Sequence, residues 1–132
     1  LLAEGAVARL VGSRIGPVKT RGGAKLDADA SMENEPAVLF DALVLPAEDA
    51  AVTSLDGDGR TAEFIKEQFR DCKTILAPGE ARRLVEDTGV PIDDGDTGLL
   101  LPAALDGKAI RTFIAALGMH RHFARETDPP MV

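Results

Sequence analysis

The sequence predicts an α/β fold of the doubly wound type, in which helices cover both faces of a mostly parallel sheet. Two short apolar runs, at 41–46 and 73–77, are each followed by a turn and then by a helical pattern. Continuously apolar strands are typical of parallel sheets, because both faces of such strands are buried. The 132 residues match the length of one domain, so we expect a single domain over 1–132.

The first part of the chain predicts strands without helices. An apolar run at 6–11 has the pattern of a strand. Alternating residues around a glycine pair predict a small β-hairpin with arms at 18–21 and 24–27. The polar residues at 28–36 are expected to form a loop.

Four helices are predicted after the strand at 41–46, each with its own boundary signals. Acidic residues open the first helix, Gly/Asp and Pro/Gly turns precede the second and third, and a glycine ends the third. The helices are expected at 48–55, 60–71, 80–87 and 106–123. An edge strand at 99–101 precedes the last of them.

Apolar residues recur at helical spacing in the two longest helices, and such a stripe normally faces the core. The stripe of the second helix comprises Phe64, Ile65, Phe69 and Cys72. The stripe of the fourth helix comprises Ile110, Phe113, Ile114 and Leu117.

The first five residues have the pattern of a last helical turn that ends at Gly5. A helix this short is not stable alone, so we expect the chain to begin inside a structural element of a longer protein. In a doubly wound sheet with the strand order 2-1-3-4-5 the first strand lies between the strands at 6–11 and 42–45, and we expect that strand to be missing from these residues. The segment by itself should then aggregate or unfold with little cooperativity.

Composition excludes several classes of partner. Fifteen Lys and Arg against 22 Asp and Glu give a net charge of −7, which disfavours nucleic acid and anionic membranes. The apolar runs are too short to span a membrane. One cysteine cannot form an internal disulfide, and we expect a cytoplasmic location.

The segment 57–62 matches the letters of a dinucleotide-binding fingerprint, but it follows a predicted helix rather than a strand. We interpret it as a plain turn. Asp56, Asp58 and Glu67 have the spacing of calcium ligands, but we expect no calcium site, since Arg60 and Thr61 occupy positions that need an oxygen ligand and a glycine.

Two groups of carboxylates are candidates for acid–base chemistry. Nothing in the sequence indicates that the pKa values within either group differ, as such chemistry requires. Asp93, Asp94 and Asp96 are interpreted as a solvated turn, and Glu48 with Asp49 as the start of a helix.

His120 and His122 are two residues apart on the predicted last helix, so they cannot share a metal ion. His122 should face solvent, and His120 should pack at the border of the apolar stripe. We therefore predict no metal site.

The bend between the strand at 73–77 and the next helix has the architecture of a nucleophile elbow. Ala77, Pro78 and Gly79 occupy this bend, and none of them can act as a nucleophile. Cys72 lies before the strand, where a buried thiol behaves as a small hydrophobic group. We therefore predict a degenerate elbow, with no catalytic residue and no cofactor in this segment.

Four segments together resemble the C-terminal domain of large-subunit haem catalases, namely 10–18 with its hairpin, 41–46, 73–82 and 120–125. That domain is similar in fold to the class I glutamine amidotransferase and intracellular-protease superfamily, which has a flavodoxin-like sheet. By position, Ala77 stands where the enzymes of that superfamily carry a cysteine.

The resemblance implies an accessory domain linked to a core that binds haem and dismutates hydrogen peroxide. It implies contacts with that core and with neighbouring subunits of a homotetramer, and a role in stabilising the assembly or in chaperone-like protection. Two alternatives stay open: an amidotransferase-like or protease-like enzyme that uses Cys72, and a small-molecule binding module at the strand ends near Ala47 and Ala77.

Overall fold

The computed structural model describes residues 5–12, 16–19, 25–129 and 132, which divide into two compact units, 1–36 and 37–132. The helix end expected at 1–5 lies almost entirely outside the described residues. The prediction of one domain over 1–132 stays a prediction.

The described residues of the first unit form four short strands. They are β1 (Val11–Gly12), β2 (Gly16–Lys19), β3 (Lys25–Ala28) and β4 (Ala30–Ser31). The strands β2 and β3 pair in an antiparallel arrangement, as expected for the hairpin, and the tip of the hairpin lies outside the described residues. The strands β1 and β4 pair in parallel.

The strand predicted at 6–11 is wrong over most of its length, and the loop predicted at 28–36 is wrong at its start, where β3 and β4 lie, but correct at 32–36. Residues 6–10 form no strand, whereas Ala30 and Ser31 are buried in β4. The carbonyl of Leu10 accepts hydrogen bonds from the amides of Asp29 and Ala30, at 2.8 and 3.2 Å. Contacts between these distant segments therefore determine the pairing, and a two-residue strand leaves no periodic signal in the sequence.

The second unit has the predicted α/β order. Its strands are β5 (Ala42–Val44), β6 (Thr74–Leu76) and β7 (Leu99–Leu100), and its helices are α1 (Asp49–Asp56), α2 (Gly59–Arg70), α3 (Arg82–Thr88) and α4 (Gly107–Leu117). The strands form one parallel sheet in the order β5-β6-β7, with Leu43 beside Ile75 and Ile75 beside Leu99. The doubly wound α/β prediction is confirmed.

Helices cover both faces of this sheet. One face carries Leu45, Ile75, Ala77 and Leu99, and it packs in a single core against residues of α1, α2 and α3. Those helical residues are Val52, Ile65, Phe69, Leu84 and Val85. Because side chains alternate along a strand, Thr74 and Leu76 of β6 point to the other face. The helix α4 contacts β6 and contributes nothing to the first core, so it lies on that second face.

Two expectations about the sheet and α4 need correction. The strand β5 is not buried on both faces, because Val44 is 44% exposed. The buried residues of α4 are Ala109, Phe113 and Ala116, whereas Ile110 is 38% exposed. The buried face of α4 therefore includes Phe113 as predicted, but it also carries Ala109 and Ala116, and Ile110 lies outside it.

The last helix ends six residues earlier than predicted. The amides of Gly118 and Met119 still bond back to α4, and His120 then adopts a left-handed conformation with φ of 62°. A left-handed residue at this position ends a helix. The chain turns back toward the sheet and forms a 3-10 turn at Phe123–Arg125.

Candidate functional site

The bend that follows β6 is closed and carries no reactive side chain. Ala77 and Pro78 are fully buried. Gly79 has a φ of +56°, in the left-handed region that glycine tolerates best. A Cβ atom on Gly79 would lie 3.2 Å from the carbonyl oxygen of Ala47. The strained position of the bend therefore has no side chain, and backbone atoms leave little room for one.

The backbone donors of the bend are also occupied. The amides of residues 77, 79, 80 and 81 each donate to a carbonyl oxygen. The acceptors are Leu100, Pro102, Ala47 and Pro78, at 2.8, 2.9, 3.2 and 3.1 Å respectively. An oxyanion hole or a phosphate site needs free amides at such a turn. The bend thus offers neither a nucleophile nor a donor for a developing negative charge.

A binding site between the strand ends near Ala47 and Ala77 meets the same obstacle, because the bond from Glu80 to Ala47 joins these ends directly. Two clefts lie elsewhere. One, of about 740 Å³, lies beside Phe69 and Arg125. The other, of about 630 Å³, lies between β7 and α4.

The turn at 57–62 caps a helix. It joins α1 to α2, and the carboxylate of Asp58 accepts bonds from the amide and the guanidinium of Arg60 at 2.9–3.0 Å. These hydrogen bonds lower the pKa of Asp58. Within the described ranges, no group of three or more His, Cys, Asp or Glu side chains could hold a metal ion.

A buried polar cluster occupies the opposite, amino-terminal end of β6 and β7, and sequence reasoning missed it. The guanidinium of Arg125 contacts the carboxylate of Asp96 at 2.7 Å, and their side chains are only 4% and 8% exposed. Arg125 also donates to the carbonyl of Lys73 at 2.6 Å and lies 4.6 Å above the ring of Phe69. The solvated-turn interpretation is therefore wrong for Asp96, although Asp93 and Asp94 are exposed as expected.

His122 belongs to the same cluster. Its Nε2 lies 2.9 Å from the hydroxyl of Thr74 and its Nδ1 3.2 Å from that of Thr97, while its amide donates to the carbonyl of Cys72 at 2.6 Å. Burial, followed by the charge of Arg125, lowers the pKa of His122.

The expected roles of the two histidines are reversed. His122 is 5% exposed, and His120 faces solvent. The early end of α4 is the cause, because the residues after it no longer follow the helical period. Gly98, immediately before β7, leaves space for the ring because it has no side chain. A Cβ atom on Gly98 would lie 2.2 Å from Cδ2 of His122.

Cys72 is buried as expected, but it lies in the turn after α2 rather than on the helix. It is 2% exposed and has a left-handed φ of 61°. Burial raises the pKa of its thiol, and the carboxylate of Glu126 acts in the same direction. These surroundings oppose formation of a thiolate nucleophile.

No helix in the part of the chain that the structure describes is long and apolar enough to cross a membrane.

Comparison with known proteins relates the chain to catalases. Residues 1–127 match the family model of the C-terminal domain found in long catalases. Catalase HPII of Pseudomonas putida is 34% identical over 126 residues, covering 96% of this chain and 17% of that protein. Catalase-B of Dictyostelium discoideum is 31% identical over 125 residues, covering 94% of this chain and 18% of that protein. The chain thus spans less than a fifth of these relatives.

A solved structure supports the fold. The ThiJ/PfpI domain protein from Brachyspira murdochii superposes with a TM-score of 0.57 at 17% identity, over 83% of this chain and 77% of that one. At this identity, the similarity concerns the fold alone.

Proposed function

Since the chain belongs to the family of C-terminal domains found in long catalases, we propose that it is a non-catalytic accessory domain that stabilises the assembled enzyme. The parent enzyme dismutates hydrogen peroxide to water and oxygen at a haem held by its core. The domain contacts that core and neighbouring subunits, in the homotetramer that the family resemblance implies. A cytoplasmic location and the absence of a nucleic-acid partner remain predictions.

The closed bend after β6 is the observation that carries this proposal. An enzyme of the amidotransferase-like superfamily needs a nucleophile exposed at the elbow and free donors around it. Here Ala77, Pro78 and Gly79 supply neither. The one alternative nucleophile, Cys72, lies at the amino-terminal end of β6, with its thiol buried and its pKa raised.

The described residues do not fit a haem group. Axial haem ligands come from His, Cys, Met or Tyr side chains. Both ring nitrogens of His122 contact threonine hydroxyls, the thiol of Cys72 is buried, His120 and Met119 are exposed at the surface, and the chain contains no tyrosine. The haem of the parent enzyme therefore belongs to residues outside this domain.

A chaperone-like activity is the second candidate, and exposed apolar side chains favour it. Val38, Leu39, Met119 and Phe123 are each 56–64% exposed in the unit 37–132. Where such side chains adjoin one another, they form apolar surface of the kind that marks contacts with other proteins. It would also suit a permanent contact with the catalase core.

The experiment compares the full-length enzyme with a form that ends before this domain. We expect peroxide turnover per haem to stay within about twofold, because no group of the domain takes part in the chemistry. We expect the half-life at elevated temperature to fall severalfold, because inactivation follows the unfolding barrier. A large loss of turnover per haem would refute the non-catalytic assignment, and an unchanged half-life would refute the stabilising role.

Matched variants in the full-length enzyme sharpen this test. Phe113→Ala empties a core position of α4, and Ile110→Ala removes an exposed side chain of the same helix. The first should shorten the half-life and the second should not. A chaperone-like role predicts, in addition, that the intact enzyme suppresses aggregation of an unrelated unfolding protein and that the shortened form does not.

A further inference from the structure

The segment 120–126 is attached to the amino-terminal ends of β6 and β7 mainly by polar contacts of His122 and Arg125. The amide of His122 donates to the carbonyl of Cys72, and the ring of His122 lies between Thr74 and Thr97. Arg125 adds its ion pair with Asp96. The neighbouring Phe123 is 63% exposed, so buried polar groups rather than apolar packing hold this segment in place.

A neutral imidazole suits this site. One ring nitrogen can accept a bond from a threonine hydroxyl while the other donates to the second hydroxyl, because a hydroxyl serves in either role. A protonated imidazole would instead be a second buried cation near the guanidinium of Arg125. Burying a charge without its own counter-ion is costly.

The charged groups around the ring come from each neighbouring element. Arg125, in the same segment, opposes protonation, and Asp96, before β7, favours it. Asp96 is already engaged by Arg125, and at the start of β6 the ammonium of Lys73 donates to the carbonyl of Val38 at 2.6 Å. From α4, the backbone of Ala116 favours protonation. Desolvation and the charge of Arg125 together outweigh the effects of Asp96 and Ala116, so the pKa of His122 is lowered.

We propose that His122 makes the segment 120–126 an acid-sensitive latch, which detaches locally from the sheet when the imidazole gains a proton. Detachment hydrates the imidazolium and breaks the bond between His122 and Cys72. The thiol of Cys72 then becomes accessible, while the core formed by α1, α2 and α3 stays folded. The proton comes from solvent and returns to it when the segment closes.

The sign of the effect follows from linkage. A histidine whose pKa is lower in the folded state contributes stability above its unfolded pKa of about 6.5, and this contribution is lost as the pH falls. Each unit by which closure lowers that pKa favours the open segment about tenfold in acid. The carboxylates titrate mostly below about pH 5, so the window between about pH 6.5 and pH 5 reports on histidine.

The test measures the labelling of Cys72 in the full-length protein at several values between about pH 8 and pH 5. Dithiodipyridine is the probe, and mass spectrometry of the peptide that contains Cys72 gives the rate. Dividing this rate by that of the denatured protein at the same pH removes the intrinsic chemistry of the thiol. We expect the ratio to rise at least threefold toward acid, which corresponds to about 0.7 kcal/mol.

His122→Gln is the decisive variant, because glutamine keeps donor and acceptor groups but cannot titrate. Its ratio should be independent of pH, whereas His120→Gln, at the exposed histidine, should keep the full response. An acid response that persists in His122→Gln overturns the proposal.

If His122→Gln leaves the segment 120–126 detached at every pH, hydrogen exchange of the wild-type full-length protein provides the test. In the wild type, the protection factors, which are corrected for the slower intrinsic exchange in acid, must fall first in residues 118–126 as the pH is lowered, before any change in α2. Protection factors that stay constant, or that fall simultaneously in both regions, overturn the proposal.

Discussion

The contact between Gly98 and His122 allows a sharp test of the polar cluster. In Gly98→Ala, the new Cβ atom would lie 2.2 Å from Cδ2 and 2.4 Å from Cγ of His122, whereas ordinary contacts begin near 3.4 Å. The backbone of Gly98 lies outside the left-handed region, so alanine itself is not strained there. The ring must therefore move by about 1 Å or more, away from the hydroxyls of Thr74 and Thr97.

The expected cost has two parts. Each lost hydrogen bond is worth about 0.5–1.5 kcal/mol, and inserting a methyl group into a packed site costs about 1–3 kcal/mol. Gly98→Ala should then lower the local free energy of unfolding by about 2–6 kcal/mol. Hydrogen exchange of β6 and β7 in the full-length protein should become about 30-fold faster or more.

Gly59→Ala is the matched control. It places the same methyl group in the first turn of α2, where nothing lies within 4 Å of the new atom. Its effect should be neutral or slightly stabilising, because alanine has a higher helix propensity than glycine.

A double-mutant cycle assigns the cost to the ring. In the His122→Ala background the imidazole is absent, so Gly98→Ala should then cost less than about 0.5 kcal/mol. Additive effects of the two substitutions, or equal effects of Gly98→Ala and Gly59→Ala, would refute the steric explanation.

Three further predictions rest on other contacts of the unit 37–132. Phe113→Ala should lower the free energy of unfolding by about 2–5 kcal/mol. Ile110→Ala should lower it far less, because the side chain of Ile110 is partly exposed. Hydrogen exchange of α4 measures both effects. Asp96→Asn should cost about 3–5 kcal/mol by leaving its buried cation unpaired, while Asp94→Asn in the exposed turn should be nearly neutral by the same measurement. One edge of β5 pairs with no described strand of its unit, so the 132 residues expressed alone should aggregate, and about twenty additional upstream residues should prevent it; a sharp monomeric unfolding transition in calorimetry would contradict this.

The buried face of α4 differs from the apolar stripe predicted from the sequence, because Phe113 is buried and Ile110 is partly exposed. A helical wheel shows which residues share a face, but it does not show which apolar face meets the sheet. In the folded protein, α4 contacts β6 and its buried face carries Ala109, Phe113 and Ala116.

Local pattern determined the parallel sheet and its helices. The strands β5, β6 and β7 and the helices α1, α2 and α3 lie within a few residues of their predicted positions. Apolar runs, capping residues and turn signals act over a few neighbouring positions, so one sequence is enough to show them. The absence of a reactive side chain at Ala77, Pro78 and Gly79 is equally local.

The polar cluster was decided by tertiary structure. Arg125 is 29 residues from Asp96, and His122 is 48 residues from Thr74. No periodic pattern links residues at such separations, and a buried ion pair has the same letters in the sequence as two solvated charges. The partners of these groups depend on where α4 ends and on how the chain after it returns to the sheet, because only folding brings these side chains within hydrogen-bonding distance.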